Sequence, residues 1–457
     1  MSARSLLARH ALLPTGWARD VLLEWDEGGT LTAVGAGAAP KPDCERADLV
    51  LPGMVNLHSH AFQRALGGLT EVAGDGPDSF WTWRDLMYRF ARSITPEQIE
   101  GIAAQLFSEC LRYGYTSVCE FHYVHRAPDG GMYARPAETA ERVLAAARQA
   151  GIGLTMLPVL YSYSGFGEQP LKPEQQRFRT DADQVLRLVE ALEPLRDAQT
   201  EVGVAPHSLR AASIGQIGEV LAALPATRPI HIHIAEQVGE VQQSVAYSGL
   251  RPVQYLMEHV ALDARWCLVH ATHLVDDEVA ALAASGAVAG LCPSTEANLG
   301  DGLFPLAPFI AAGGLFGIGS DSHISHSAVE ELRWLEYGQR LRHQRRNVCA
   351  SDKQRRVGDF LWQNALDGGA RASGRQVGAL AVGKRADLLV LDSAHPNLDG
   401  IAAADILGSV VFCGNDNLIE DVMVGGRWVV RARRHVAQDA IVARYKQVVA
   451  ELRELRS

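Results

Sequence analysis

The stretch Val50-Leu51-Pro52-Gly53-Met54-Val55-Asn56-Leu57-His58-Ser59-His60 reads as a buried strand that runs out into polar residues. Apolar and β-branched positions fill it, and two histidines close it. Runs of the same form recur at 116–123, 152–162, 201–208, 229–236, 266–273, 286–294 and 315–322. Helical patterns separate them. Thr95-Pro96-Glu97-Gln98 is a capping box with proline at the first helical position. Ile99, Ile102, Ala103, Leu106, Phe107 and Cys110 then recur on one face, and Gly114 ends the helix. Ser213-x-x-Gln216 and Asp276 start two more. Strands alternating with helices imply parallel βα units, and eight of them close into an α/β fold, a (β/α)8 TIM-like barrel over 51–375.

The pattern changes on either side of this core. Segments 21–25 and 30–34 flank Asp26-Glu27-Gly28-Gly29, a hairpin signature. Near the other end 386–391, 410–413 and 422–429 read as further strands, the last a second hairpin. Neither set builds a core alone. Residues 1–50 and 376–457 are therefore expected to join as a small discontinuous β-domain, followed by a C-terminal helix.

Composition narrows the function. The 457 residues are 47% hydrophobic and 21% charged, with a net charge of −10. That acidic balance argues against nucleic acid or an anionic membrane as partner. The seven cysteines are odd in number, scattered, and form no Cys-x-x-Cys pair. They exclude a disulfide framework and a zinc ribbon, and fit a reducing cytosol. Arg9, His10 and Pro14 interrupt the N-terminal apolar residues, so no signal peptide is expected. The longest weakly polar stretch, 279–292, is too short to span a bilayer and contains Ser285 and Gly286. A soluble cytoplasmic protein follows.

Functional groups of such a barrel gather at the C-terminal ends of its strands. In the first strand, alternation places His58 and His60 on one face with Ser59 on the other, a spacing that chelates one divalent metal. The fifth strand, Pro229-Ile230-His231-Ile232-His233-Ile234-Ala235-Glu236, supplies His233 as a third nitrogen and Glu236 just beyond it. His231 shares the face of His233 but lies deeper, and reads as a hydrogen-bonded core histidine. The sixth strand brings His270, and the eighth ends in Asp321 at the rim. Each strand end alone is an ordinary polar cap; four converging on histidines and carboxylates describe a metal site. Three imidazoles and a carboxylate suit zinc and tolerate Fe2+, cobalt or nickel. The fourth strand end, Val204-Ala205-Pro206-His207-Ser208, carries no lysine to bridge a second ion, so one metal is expected.

Together these residues resemble the amidohydrolase superfamily in its one-metal deaminase branch. The segment Pro52–His60, the His233-x-Ala-Glu236 pair, His270 and Asp321 all match that pattern, as does Gly383-Lys384-Arg385-Ala386-Asp387-Leu388-Leu389-Val390 near the C-terminus. Further motifs resemble the branch's deiminases of histidine degradation, which act on a small acyclic amidine carrying two carboxylates. They are His60-Ala61-Phe62-Gln63-Arg64-Ala65, Phe80-Trp81-Thr82-Trp83-Arg84, Glu120-Phe121-His122-Tyr123 and Ala205-Pro206-His207-Ser208-Leu209-Arg210. The resemblance implies Gln63, Arg84, Tyr123, His207 and Arg210 as substrate contacts, and His58, His60, His233 and Asp321 as metal ligands. It also implies Glu236, His270 and Asp321 as catalytic groups, and a homodimer by analogy. Arg84 and Arg210 each suit a bidentate carboxylate. The aromatic run Phe80-Trp81-x-Trp83 suits a water-excluding lid over 78–90, or ordinary core. Two alternatives stay open: an aminohydrolase of a purine, pterin or other ring amidine, and a non-catalytic metal-binding relative.

Overall fold

In the computed structural model, residues 4–39, 41, 43–73 and 79–454 are described. Eight parallel strand positions form the barrel in two half-sheets. The first runs Met54–Ser59, Tyr115–His122, Gly153–Leu160 and Thr200–Val202; the second runs Ile230–Ile234, Trp266–His270, Val288–Leu291 and Leu315–Ile318. Parallel bridges Ser59–Asp321 and Val204–Ile230 join them at both seams. At the first seam His60 N–H donates to the Asp321 carbonyl at 3.3 Å, and Asp321 N–H to the His58 carbonyl at 3.0 Å. The metal-ligand candidates of the first and last strands are thus backbone neighbours across the closure.

The expected strand at 50–60 is two strands. Glu45–Pro52 belongs to a separate eight-stranded sheet, and Met54–Ser59 to the barrel. Gly53 makes the joint. A Cβ there would sit 2.2–2.3 Å from the Thr116 side chain, so no larger residue fits between the two sheets. The fourth strand is also broken. Thr200–Val202 pairs with the third strand, then Val204 turns to hydrogen-bond Pro229 and His231 of the fifth, and Ala205–Pro206 returns to the third.

The eight-stranded sheet draws on both chain ends, in the order Arg434–His435, Arg427–Arg431, Ile419–Val424, Leu388–Leu391, Glu45–Pro52, Arg4–Leu13, Gly16–Trp25, Leu31–Gly35. Alternation along Glu45–Pro52 sends Leu49 and Leu51 into the large core shared with the barrel, while Val50 joins a smaller core with Leu6, Leu23, Trp25 and Leu388. The hairpin expected at 21–34 is present, with Gly16–Trp25 antiparallel to Leu31–Gly35. Segment 410–413 is not a strand. It ends the helix Ile406–Phe412, whose Ile406, Leu407, Val410 and Val411 are buried, spaced as one helical face. The β-branched pair Val410-Val411 favours strand locally, but packing against helices Ala328–His343 and Val357–Ser373 decides the outcome.

The capping boxes at Thr95 and Ser213 form as read, opening helices Pro96–Arg112 and Ile214–Ala223. The C-terminal helix Gln438–Glu454 packs on Pro96–Arg112, its Val448 lying against Gly101. Residues 455–457 of that expected helix, and Asp78 of the expected lid, lie outside the described residues. No helix among the described residues is long and apolar enough to cross a membrane.

Candidate active site

At the C-terminal mouth of the barrel the backbone leaves its strands through left-handed turns. Ala235, His270 and Asp321 have φ of 51°, 66° and 44°. Such conformations cost non-glycine residues roughly 1–2 kcal/mol each. Three of them around one cavity show packing overriding local preference to aim side chains inward.

The imidazoles and Asp321 meet at one point. Nε2 of His58 and Nε2 of His233 are 3.0 Å apart, and Asp321 Oδ1 lies 3.5 Å from His58 Nε2 and 3.4 Å from His60 Nε2. Backbone carbonyls set two tautomers: His60 Nδ1–H donates to Phe121 at 2.9 Å, and His233 Nδ1–H to His207 at 3.0 Å. Both therefore turn an Nε2 lone pair to the centre. Burial holds all three imidazoles below their ordinary pKa, against protonation. Converging lone pairs repel unless a cation lies among them. The separations from His58 to His233 and Asp321, and from His60 to Asp321, are 3.0–3.5 Å, edges expected around an ion about 2.1 Å from each ligand; His58 is shared by the clusters His58/His60/Asp321 and His58/His233/His270, so the donor chemistry fits one divalent metal.

His270 and Glu236 stand beside this point. His270 Nε2 is 3.7 Å from Asp321 Oδ2 and 3.9 Å from Glu236 Oε1. Its Nδ1–H donates to Glu296 Oε1 at 3.3 Å. Burial opposes a charge on His270, but Glu236, the Glu296 hydrogen bond and Asp321 together raise its pKa to about 10. Burial pushes Glu236 up to about 7, against the opposing pull of His270 and Arg210. A carboxyl poised there can both take and give a proton near neutrality.

A narrow pocket opens onto these groups. All five expected contacts, Gln63, Arg84, Tyr123, His207 and Arg210, line it together with His60, His233, Glu236, His270 and Asp321. Gln63 Nε2 donates to the Tyr123 hydroxyl at 2.8 Å, leaving Gln63 Oε1 buried without a partner. Arg84 and Arg210 both lie over Trp81, their guanidinium carbons 4.6 and 5.7 Å from its ring centroid. Each has a buried Nε with no hydrogen-bond partner, and neither forms an ion pair among the described residues. Phe80, Trp83, Met87 and Tyr88 of helix Phe80–Ala91 roof the pocket. His231 Nε2–H donates to the Ala372 carbonyl at 2.8 Å, below the centre, as its depth in the strand implied.

Sequence reasoning missed several supporting groups. Glu120 Oε2 accepts from Ser59 Oγ at 2.5 Å and its Oε1 from Ala61 N–H at 2.8 Å, bracketing His60. Burial raises Glu120 to about 8 against both bonds. Glu296, which orients His270, also accepts from Cys292 N–H at 2.9 Å. Cys292 lies just past the seventh strand, whose end carries none of the expected ligands, and brings its Sγ within 4.8 Å of ligand atoms of His270 and Asp321. Burial and the surrounding carboxylates push its thiol pKa up, so it stays protonated. The run 120–123 carried Glu120 without giving it a role, the position after a barrel strand pointed to Cys292, and nothing signalled Glu296.

The chain belongs to the amidohydrolase family, which matches its residues 49–429. Residues 4–48 match a second family, described as the N-terminal domain of formimidoylglutamate deiminase HutF. Over 98% of its length the chain is 54% identical to the formimidoylglutamate deiminase of Pseudomonas aeruginosa, covering 99% of that protein. An amidohydrolase structure from Brucella melitensis is similar at TM-score 0.93 and 44% identity, with 98% of this chain and 99% of that one covered. An adenosine deaminase from Xanthomonas campestris with bound zinc shares the fold at TM-score 0.80 and 22% identity, with 98% of each chain covered.

Proposed function

We propose that this protein hydrolyses N-formimidoyl-L-glutamate to N-formyl-L-glutamate and ammonia, a step of histidine degradation, with zinc as its metal. The pair of unpartnered guanidiniums beside Glu236 carries this reading. Two cationic forks, one buried and one half-buried, match a substrate with two carboxylates, and a flat neutral ring would leave both unpaired. The 54% identity to a formimidoylglutamate deiminase supports the same substrate.

His58, His60, His233 and Asp321 would hold the ion. When bound, it supplies the Lewis acidity that makes water a nucleophile near neutral pH. Arg84 and Arg210 grip the carboxylates, with Gln63, Tyr123 and His207 adding polar contacts, so the amidine carbon is presented toward Glu236. Glu236 takes a proton from the attacking water. His270, held by Glu296 beside Glu236 and Asp321, stabilises the charge that develops as the C=N bond is attacked. Glu236 then returns that proton to the terminal nitrogen, and the second water proton passes from the new C–OH through Asp321 to the same nitrogen as the C–N bond breaks and C=O forms. Ammonia leaves and the glutamyl nitrogen stays bonded to carbon.

The test is ammonia release by purified, zinc-loaded protein from N-formimidoyl-L-glutamate, beside guanine, adenosine and formimidoyl-glycine. Fast release from the glutamate derivative alone is expected. Turnover of a ring compound instead would discard the substrate and retain the metal site.

A further inference from the structure

The pocket wall contains a second polar group besides the arginines. Tyr88 and Tyr161 both line it, one from the roofing helix and one from the end of the third barrel strand, and their hydroxyl oxygens are 3.1 Å apart. Behind them the buried Gln175 side chain is fixed, because its Oε1 accepts from Lys172 N–H at 3.0 Å. The amide nitrogen must then face the tyrosines. It donates to the Tyr161 hydroxyl at 2.8 Å and lies 3.4 Å from that of Tyr88. Phe178 packs against both rings, with centroids 5.4 Å from Tyr88 and 5.8 Å from Tyr161.

Counting protons gives the consequence. Two hydroxyls own two protons, and their mutual bond uses one. Gln175 can only donate to them, so it removes neither. One hydroxyl proton therefore has no acceptor in this group. Tyr161 is the better candidate to own it. Its oxygen takes the shorter bond from Gln175, and it lines the same pocket as Arg84 and Arg210. With Tyr88 donating to Tyr161, both lone pairs of Tyr161 are filled and its proton is left facing the cavity.

We propose that Tyr161 is a further substrate-binding residue, its hydroxyl donating to one of the two substrate carboxylates held by the arginines, with Gln175 as the positioning residue that turns that proton to the cavity. This rests on the dicarboxylate reading above. The chain of donors Tyr88 to Tyr161 to carboxylate is cooperative, and the incoming acceptor is charged, so the bond is strong for a single hydroxyl.

Glutarate, which carries two carboxylates and no amidine, separates this inference from the deimination reading. Binding of glutarate is measured by calorimetry for wild type, Tyr161→Phe and Tyr88→Phe, each with its melting temperature as a folding control. Tyr161→Phe is expected to weaken glutarate roughly ten- to hundredfold, the range for a hydrogen bond to a charged group. Tyr88→Phe leaves the proton in place and should cost no more than about threefold. In turnover, Tyr161→Phe should raise KM for N-formimidoyl-L-glutamate by a similar factor and leave kcat within about twofold. Unchanged glutarate affinity in a folded Tyr161→Phe protein would overturn the inference, as would equal losses in the two variants. If wild type binds glutarate yet releases no ammonia from N-formimidoyl-L-glutamate, the substrate reading fails while the hydroxyl is still tested by binding.

Discussion

Replacing Arg210 by methionine removes a cation and keeps most of its stem. Arg210 is 7% exposed, whereas Arg84 is half-buried. Burial works against the charge of Arg210, but Glu240 and Glu236 more than offset it, so the guanidinium meets substrate fully charged. A carboxylate paired with it is desolvated, and removing one partner of such a pair costs about 2–5 kcal/mol, roughly 30- to 4,000-fold in kcat/KM. The partly screened pair at Arg84 lies between the exposed and buried limits, at about 1–2 kcal/mol or roughly five- to thirtyfold. Arg210→Met should therefore be the more damaging variant. The assay is continuous ammonia release on N-formimidoyl-L-glutamate, formimidoyl-glycine and N-methylformamidine, which carry two, one and no carboxylates. The loss should shrink as carboxylates are removed and vanish on N-methylformamidine. Equal losses on all three amidines, or a larger effect of Arg84→Met, would refute the clamp.

Glu236→Gln should bind metal normally while kcat falls about 10²- to 10⁴-fold, the range for a lost general acid–base; near-normal turnover would remove Glu236 from the mechanism. His233→Ala leaves the Nε2 of His58 without its 3.0 Å neighbour, and elemental analysis after dialysis should find it depleted of zinc; tightly held stoichiometric metal would contradict the ligand set. Chelation of wild type should abolish ammonia release and added Zn2+ restore it. Gly53→Ala puts a methyl carbon 2.2–2.3 Å from the Thr116 side chain, and overpacking of about 1–3 kcal/mol should lower the melting temperature; an unchanged melting curve would mean that the joint is loose.

The chemistry of the candidate metal site was legible because its residues sit in, or within three residues of the ends of, regular strands. Period-two alternation places His58 with His60, and strand ends define the barrel mouth before any coordinates exist. Element boundaries were less legible. Residues 50–60 look uniform in hydropathy, and only the close approach of Thr116 shows why the strand must break at Gly53. Val410-Val411 misleads because local preference is weak beside the burial of four apolar side chains on one helical face. The pocket wall was the least legible part. Tyr88, Tyr161 and Gln175 lie up to 87 residues apart, and their relation exists only as a satisfied or unsatisfied count of hydrogen-bond donors. Glu120 and Glu296 are hidden for the same reason. Each sits on an element adjacent to a histidine it supports, with no spacing rule connecting them.

The antiparallel pairing of Leu388–Leu391 with Glu45–Pro52 also has a temporal meaning during synthesis. The strand leading into His58 and His60 emerges early from the ribosome, but its neighbour on one side starts at Leu388, 336 residues after Pro52. At about 5–20 residues per second that edge stays bare for roughly 20–70 seconds. The whole barrel is translated in the meantime, so its first strand is made against an unfinished foundation. Truncation within 388–435 should consequently release early strands with an open edge, prone to intermolecular pairing, rather than a shortened barrel that folds without its side sheet.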